Sequence, residues 1–346
     1  MAVQTGQIRP RNQTLPEANN PPEIIGSSPR ISPSQIQAIP DLNFRALAHE
    51  LSSICTRVEV SDGQPGILHP LPMDLPPALT QALNRIGITN LYSHQIEALE
   101  ILRSGLDLSI VTPTASGKTL CYNIPVLESC LNQPQTTALY IFPLKALALD
   151  QMRKLEHIVS VLPSTHLVRI GLMTGDTPKD ERLRLFIPQP PNILAVSPDL
   201  LHHYLYNLRR REDGETWRQF LRRLSWVVID EAHTYVGAFG AHFANLMRRL
   251  RVAVDRVGGN SNSIQFICSS ATIGNPEEMA LRFSGRTMTS ERLRLIQRSG
   301  ANTEGRTFLS LAPSSVANPD ACKITPVSSN GTENRAKVRE PMKTTF

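Results

Sequence analysis

From Leu79 onward the chain alternates short, continuously apolar runs with longer amphipathic stretches, and the apolar runs have no polar side. Six stand out: LSIVT (108–112), ALYIFP (138–143), LVRIGLMT (167–174), NILAVS (192–197), WVVID (226–230) and IQFICSSA (264–271). A strand wetted on one face alternates polar with apolar residues, so runs apolar throughout are buried on both faces. That pattern requires a parallel sheet with helices packed on each side, joined by right-handed crossovers. The expected fold class is therefore α/β, a doubly wound parallel sheet.

The helices between these runs read KTLCYNIPVLESCL, ALALDQMRKLEHIVSVL, PDLLHHYLYNLRRR and FGAHFANLMRRLRVAVDRV. In the last, Phe243, Leu246, Met247, Leu250, Val254 and Val257 fall on one stripe, with Arg248, Arg249 and Arg251 on its flanks. A further helix is announced by Asn275 as N-cap, Pro276 at its first position and Glu277 and Glu278 in its first turn.

Composition sets outer bounds. Many of the 27 prolines crowd the opening of the chain, where Gln, Ser and Asn also dominate, so residues 1–45 are expected to be disordered. Residues 46–90 read as a helical extension, 91–290 as the main domain, 291–316 as a connector and the polar 317–346 as a second disordered tail. The formal charge of +6 favours an acidic partner without specifying one. The five cysteines are scattered and never paired at metal-binding spacing, which excludes a zinc knuckle and suits a reducing compartment. No apolar run reaches the ~18 residues of a membrane span, and the amino terminus has no apolar signal core. A cytoplasmic protein with no membrane partner is expected.

Chemistry concentrates at strand ends. Thr112, Pro113, Thr114, Ala115, Ser116, Gly117, Lys118 and Thr119 lie between a buried strand and a helix that begins near Gly117, so backbone amides and the helix dipole converge on a phosphate. Lys118 reaches the β and γ phosphates, Thr119 offers a hydroxyl to Mg²⁺, and Gly117 admits close backbone approach. Thr112 stands where the usual pattern has its first glycine, leaving Ala115 and Ser116 to supply the curvature. Alone, SGKT is also compatible with an ordinary turn and an exposed lysine. The strand WVVID then ends in Asp230-Glu231-Ala232-His233, with Asp230 placed to hold Mg²⁺ through water and Glu231 to orient and deprotonate an attacking water.

TPTASGKT, DEAH and SSAT (269–272), in that order and each at a strand end, resemble motifs I, II and III of superfamily 2 helicases of the DEAD/DEAH type. The resemblance implies a RecA-like lobe that binds ATP and Mg²⁺, with His233 among the nucleotide-facing residues. LYSHQIEAL (91–99) is similar to the adenine-reading Q motif, which gives Gln95 the base contact and Tyr92 a stacking position. FPLKALALDQ (142–151), GLMTGDTP and VSPDLLH (196–202) resemble the family's nucleic-acid loops, so Pro143, Lys145, Thr174, Gly175, Ser197, Pro198 and Asp199 are expected to face a strand backbone. Ser270, Ala271 and Thr272 would couple nucleotide to nucleic acid. Two stretches, DEAHTYVGAFGAHFANLMRRLR and LIQRSGANTEGRTFLSLAPSSV (295–316), look most like bacterial DNA-repair helicases of the mitomycin-repair type, implying DNA as substrate and 3′-to-5′ movement.

Such a motor needs a second RecA-like lobe of about 150 residues carrying an arginine finger. Residues 317–346 do not hold one. Two functional classes remain: the ATP-binding lobe of a DNA helicase, or an inactive interaction module that takes a second lobe in trans. RNA stays open as a partner on physical grounds. Arg209, Arg210, Arg211, Arg222 and Arg223 add charge for phosphate contact or simply a solvated face.

Overall fold

A computed structural model describes residues 32–39, 42–51, 55–61, 63–163, 167–208, 214–271, 273–287, 290–302 and 306–311. They fall into two compact units, residues 1–63 with 304–346 and residues 64–303. In the first unit lie α1 (Pro33–Gln37), α2 (Leu42–Glu50) and β1 (Cys55–Ser61), the last paired antiparallel with a strand at Arg306–Leu311. Ile36, Ile39, Ala48 and Cys55 form its small core.

In the second unit the chain runs through β2 (Leu68–Pro70), α3 (Pro77–Arg85), β3 (Asn90–Tyr92), α4 (Ser93–Arg103), β4 (Asp107–Val111) and α5 (Lys118–Asn132). It continues with β5 (Thr137–Ile141), α6 (Lys145–Ser160), β6 (Ile170–Met173), α7 (Lys179–Arg184), β7 (Ile193–Val196), α8 (Pro198–Asn207) and α9 (Gly214–Arg222). Then come β8 (Leu224–Ile229), α10 (Gly237–Arg256), β9 (Gln265–Ser270), α11 (Pro276–Ser284) and β10 (Leu293–Ile296).

Among the described residues seven strands form one parallel sheet in the order β10-β4-β9-β8-β5-β7-β6. Alternate residues of each strand enter different cores. Leu108, Ile110, Tyr140, Ala195, Val228 and Ile267 pack on one side, with α3, α4, α5 and α6. Leu139, Ile141, Leu194, Val227, Ile229 and Phe266 pack on the other, with α8 to α11. This is the RecA-like fold, and the both-faces burial expected from the apolar runs is what the two cores provide. The expected helical stripe is buried at Phe243, Leu246, Met247, Leu250 and Val254 and partly at Val257.

Four boundaries differ from the expectations. The sheet takes in Leu293–Ile296, a stretch read as connector; Arg294 interrupts it and β10 is a four-residue edge strand, too short to show periodicity. The residues before 91 are not simply helical, because β1 and β2 intervene. From residue 64 they belong to the same unit as the sheet, since Leu75, Leu79, Ala82 and Leu83 join its core. Helix α1 and the start of α2 fall within the stretch read as tail (residues 1–45), where Ser32 caps α1 through the amide of Gln35, while the rest of α2 lies in the stretch read as helical. The remainder of that tail, and residues 317–346, lie outside the described residues.

One charge sits inside the sheet. Asp107, fully buried, accepts the Phe266 amide at 3.0 Å and pairs with the guanidinium of Arg286, itself bonded to the Ile264 carbonyl at 2.8 Å. The arrangement ties β4, β9 and the segment after α11 together. Removing one partner strands a buried charge, so Asp107→Ala is expected to cost about 3–5 kcal/mol in guanidinium unfolding, with Arg286→Ala similar. Replacing both by apolar residues should recover most of that loss.

Candidate functional site

The phosphate-loop segment leaves β4 at Val111 and re-enters regular structure at Lys118, with Gly117 as N-cap in the left-handed region (φ 80°). Thr112 does what a glycine in its place would not: its hydroxyl is buried and bonded to the Ser116 hydroxyl at 2.7 Å, closing the loop across its base. Ala115, at φ 63°, takes the turn that follows. The curvature comes from a hydroxyl pair and one strained alanine. Lys118 Nζ donates to the carbonyls of Thr112 and Pro113, both at 2.8 Å, so the ammonium lies along the mouth of the loop. Burial holds its pKa below the ordinary value, against the raising influence of Glu231 and then Asp230. Lysine and carboxylates therefore share one rim of the sheet.

β8 delivers those carboxylates. Asp230 is buried, takes the Tyr122 hydroxyl at 3.2 Å and the Glu231 amide at 3.0 Å, and burial beside it pushes the Tyr122 phenol well up. Glu231 occupies the left-handed region (φ 48°), a conformation costing on the order of 1–3 kcal/mol for a residue other than glycine. It turns the chain sharply at the strand tip, and the Thr234 hydroxyl bonds to its carbonyl at 2.9 Å. His233 Nδ1 lies 3.2 Å from Glu231 Oε2 and 3.3 Å from the Ala271 amide. A lone pair on Nδ1 accepts the amide, whereas pairing with Glu231 needs a proton there, so one protonation state makes one contact. Ser270 is buried and its hydroxyl bonds to the Ala271 carbonyl at 2.8 Å. Thr272 lies outside the described residues, as do Arg209, Arg210 and Arg211.

Gln95 is buried, and its amide is spent within the protein: Oε1 accepts the Tyr92 amide at 2.9 Å and Nε2 donates to the Gly117 carbonyl at 3.0 Å. A Cβ on Gly117 would come within 2.6 Å of that Nε2. The glutamine thus reports on the phosphate loop directly, and Tyr92 stacks on His94 at 5.9 Å. Thr119 donates its hydroxyl to Gln151 at 2.9 Å. Thr119 and Asp230 offer hard oxygen donors of the kind that hold Mg²⁺ jointly with substrate phosphates. No cluster of three His, Cys, Asp or Glu forms a self-contained metal cage among the described residues.

The remaining candidates line the same rim beyond β5, β6 and β7. Lys145 opens α6 and is ion-paired with Asp176; half-buried Pro143 precedes it. Arg182 ties down the turn after β6 through the carbonyls of Thr174 at 3.2 Å and Gly175 at 2.8 Å. Ser197 caps α8 by accepting the Leu200 amide at 3.4 Å, with Pro198 buried behind it and Asp199 exposed. Cys121 and Cys130 are buried, which pushes their thiols up to about 12.

His94, Tyr122, Gln151 and Gly300 were not singled out by sequence. His94 is 1% exposed; Nδ1 accepts the Gly300 amide at 3.2 Å, and Nε2 is buried beside the Ser116 backbone without a hydrogen bond. Its place inside LYSHQIEAL was the available signal. Burial, opposed by the Ser116 backbone and assisted by Lys118, holds this imidazole below its ordinary value. The unfolded chain then binds the proton more readily, so the stability tied to neutral His94 is full above pH ~6.5 and lost as pH falls below it. His94→Phe keeps the stacking and removes the titration. Its melting temperature should decline less than wild type between about pH 7.5 and 5.5.

Residues 92–279 match the family model described as DEAD/DEAH box helicase. The "Uncharacterized ATP-dependent helicase YprA" of Bacillus subtilis is 36% identical over 250 residues, 72% of this chain and 31% of that protein. Crystal structures of the DUF1998 helicase MrfA superpose at 32% identity: bound to DNA, with TM-score 0.69 over 81% of this chain and 37% of that one. Bound to DNA and AMPPNP, the TM-score is 0.68 over 78% and 35%. The chain spans about a third of the length of these relatives. A matched loop, carboxylate pair and third strand end on one RecA-like sheet, together with these matches, make the chain a member of the DEAD/DEAH box helicase family.

Proposed function

We propose that this lobe binds ATP with Mg²⁺ at the carboxyl rim between β4 and β8 and serves as half of an ATP-dependent DNA helicase, in DNA repair. The observation that carries the reading is the convergence of Lys118 with Asp230 and Glu231, whose charges act on its ammonium. When bound, Mg²⁺ would be held by Thr119 and Asp230 and would supply charge neutralisation for phosphoryl transfer. The chain's own residues do the rest. The amides of residues 114–119 and the start of α5 hold phosphate oxygens, Lys118 swings from the loop carbonyls onto them, and Thr119 and Asp230 present oxygens to the metal. Glu231 orients the attacking water and accepts its proton. His233 carries the result to Ala271, one bond from the strand end that the family uses for coupling.

Pro143, Lys145, Thr174, Gly175, Ser197, Pro198 and Asp199 follow the ends of β5, β6 and β7, where helix starts and turn amides suit a sugar-phosphate backbone. DNA is preferred to RNA because MrfA is described bound to DNA. No described helix is long and apolar enough to cross a membrane, which is compatible with a cytoplasmic setting. The inactive-module alternative has less behind it: the loop, carboxylate pair and His233 link are all assembled. A finger arginine from a second lobe would raise turnover roughly 10³–10⁵-fold.

Titration calorimetry with ATP and Mg²⁺ should show Lys118→Ala losing more than about tenfold in affinity, about 1.4 kcal/mol. Glu231→Gln should keep wild-type affinity while removing residual hydrolysis. Equal ATP affinity in wild type and Lys118→Ala would reject the reading.

A further inference from the structure

On the opposite end of the sheet from the phosphate loop, α8, α9 and α10 enclose an open groove of about 980 Å³. Helices α8 and α10 leave the carboxyl rim at Ser197 and Val236 and run back along the strands, so their second halves, which line the groove, lie towards the strands' amino ends. Among the described residues the lining includes Arg218, Arg248, Arg249 and Arg256 and no aspartate or glutamate. Four guanidinium groups held around one depression repel each other unless an anion joins them.

Little of that charge is neutralised internally. Arg218 pairs with Glu215 at 2.8 Å, at the edge of the groove. Arg248 donates to the neutral Asn245 amide at 2.8 Å, and Arg249 to His202 Nδ1 at 3.0 Å, a contact that needs the imidazole unprotonated there. Arg256 has no ion pair or side-chain hydrogen bond among the described residues. Beside these cations two apolar surfaces face solvent: Tyr206, 77% exposed, and Val252, 48% exposed.

We infer that this groove is a second binding site for nucleic-acid backbone, separate from the rim contacts and engaged by the strand after it has passed the rim. Arginines mixed with an exposed aromatic ring are what single strands use, phosphates meeting guanidinium groups while a base stacks on the ring. The spacing agrees. Arg249 and Arg256 stand two turns apart on one helix, about 10 Å, the axial rise of roughly three stacked nucleotides. An acidic peptide would satisfy the charge but has no use for the exposed tyrosine face. The choice of nucleic acid among polyanions rests on the helicase reading above.

Reaching the groove from the rim means following α10, whose 20 residues extend about 30 Å, so roughly ten further nucleotides are needed. Fluorescence anisotropy with the full chain and labelled single strands of about 8 and about 25 nucleotides therefore separates the sites. Wild type should bind the longer strand at least about tenfold more tightly. Arg249→Ala/Arg256→Ala should abolish that preference, lower the log–log salt slope for the longer strand by about 1.4, and leave the short strand and ATP affinity unchanged. Arg249→Lys/Arg256→Lys should restore the slope. A variant whose long-strand binding matches wild type overturns the inference, and so does equal weakening for both lengths. Binding of a glutamate-rich peptide that the variant loses while DNA binding persists also overturns it, assigning the groove to an acidic protein. Lys145→Ala, which acts at the rim, should weaken both lengths; if it does while the groove variants have no effect, the helicase reading stands and the second site falls.

Discussion

Everything at the rim depends on β9 being hydrogen-bonded to β4 on one side and β8 on the other. That ladder sets the separation between the phosphate loop, which follows β4, and the carboxylate pair, which follows β8, at two strand spacings, about 10 Å. A triphosphate spans such a gap; a side chain alone does not. The same strand brings Ala271 up between them, within reach of His233. Asp107 reinforces the arrangement from the other end of β4 by taking the Phe266 amide and the Arg286 guanidinium. A displacement of β9 would separate Lys118, the carboxylates and Ala271 from one another.

Strain and burial are spent where the chemistry is. Ala115 and Glu231, the two described residues other than glycine with positive φ, stand on the loop and on the carboxylate pair. Their conformations persist because neighbours over-determine them: the Thr112–Ser116 hydroxyl pair beneath one, the Asp230 carboxylate and Thr234 hydroxyl around the other. Gln95 adds a brace from outside, with both ends of its amide engaged, one on its own helix start and one on Gly117. An adenine-reading role for Gln95 therefore involves exchange of internal hydrogen bonds, which would link base recognition to the shape of the phosphate loop.

The strands, their parallel pairing and the three motifs were legible because each reflects local composition. Continuous apolar runs report burial on both faces, and SGKT, DEAH and SSA sit where those runs end. β10 escaped notice because four residues with an exposed arginine show no period. His94 and Gly300 are 206 residues apart, and no local pattern marks their contact. Thr112 looked like a defect in a glycine pattern, yet its hydroxyl has a partner four residues on that only the folded loop brings within 2.7 Å.

Sequence by itself determined the α/β class, the order of the strands' chemistry and the identity of the residues at each strand end, because periodicity and residue type are properties of short segments. Only the tertiary structure decided which strand ends are neighbours, that Lys118 lies within the field of Glu231 and Asp230, and that arginines from α9 and α10 gather in one groove. Those facts depend on strand order and helix packing, which long-range hydrogen bonds and burial establish between segments that carry no mark of one another.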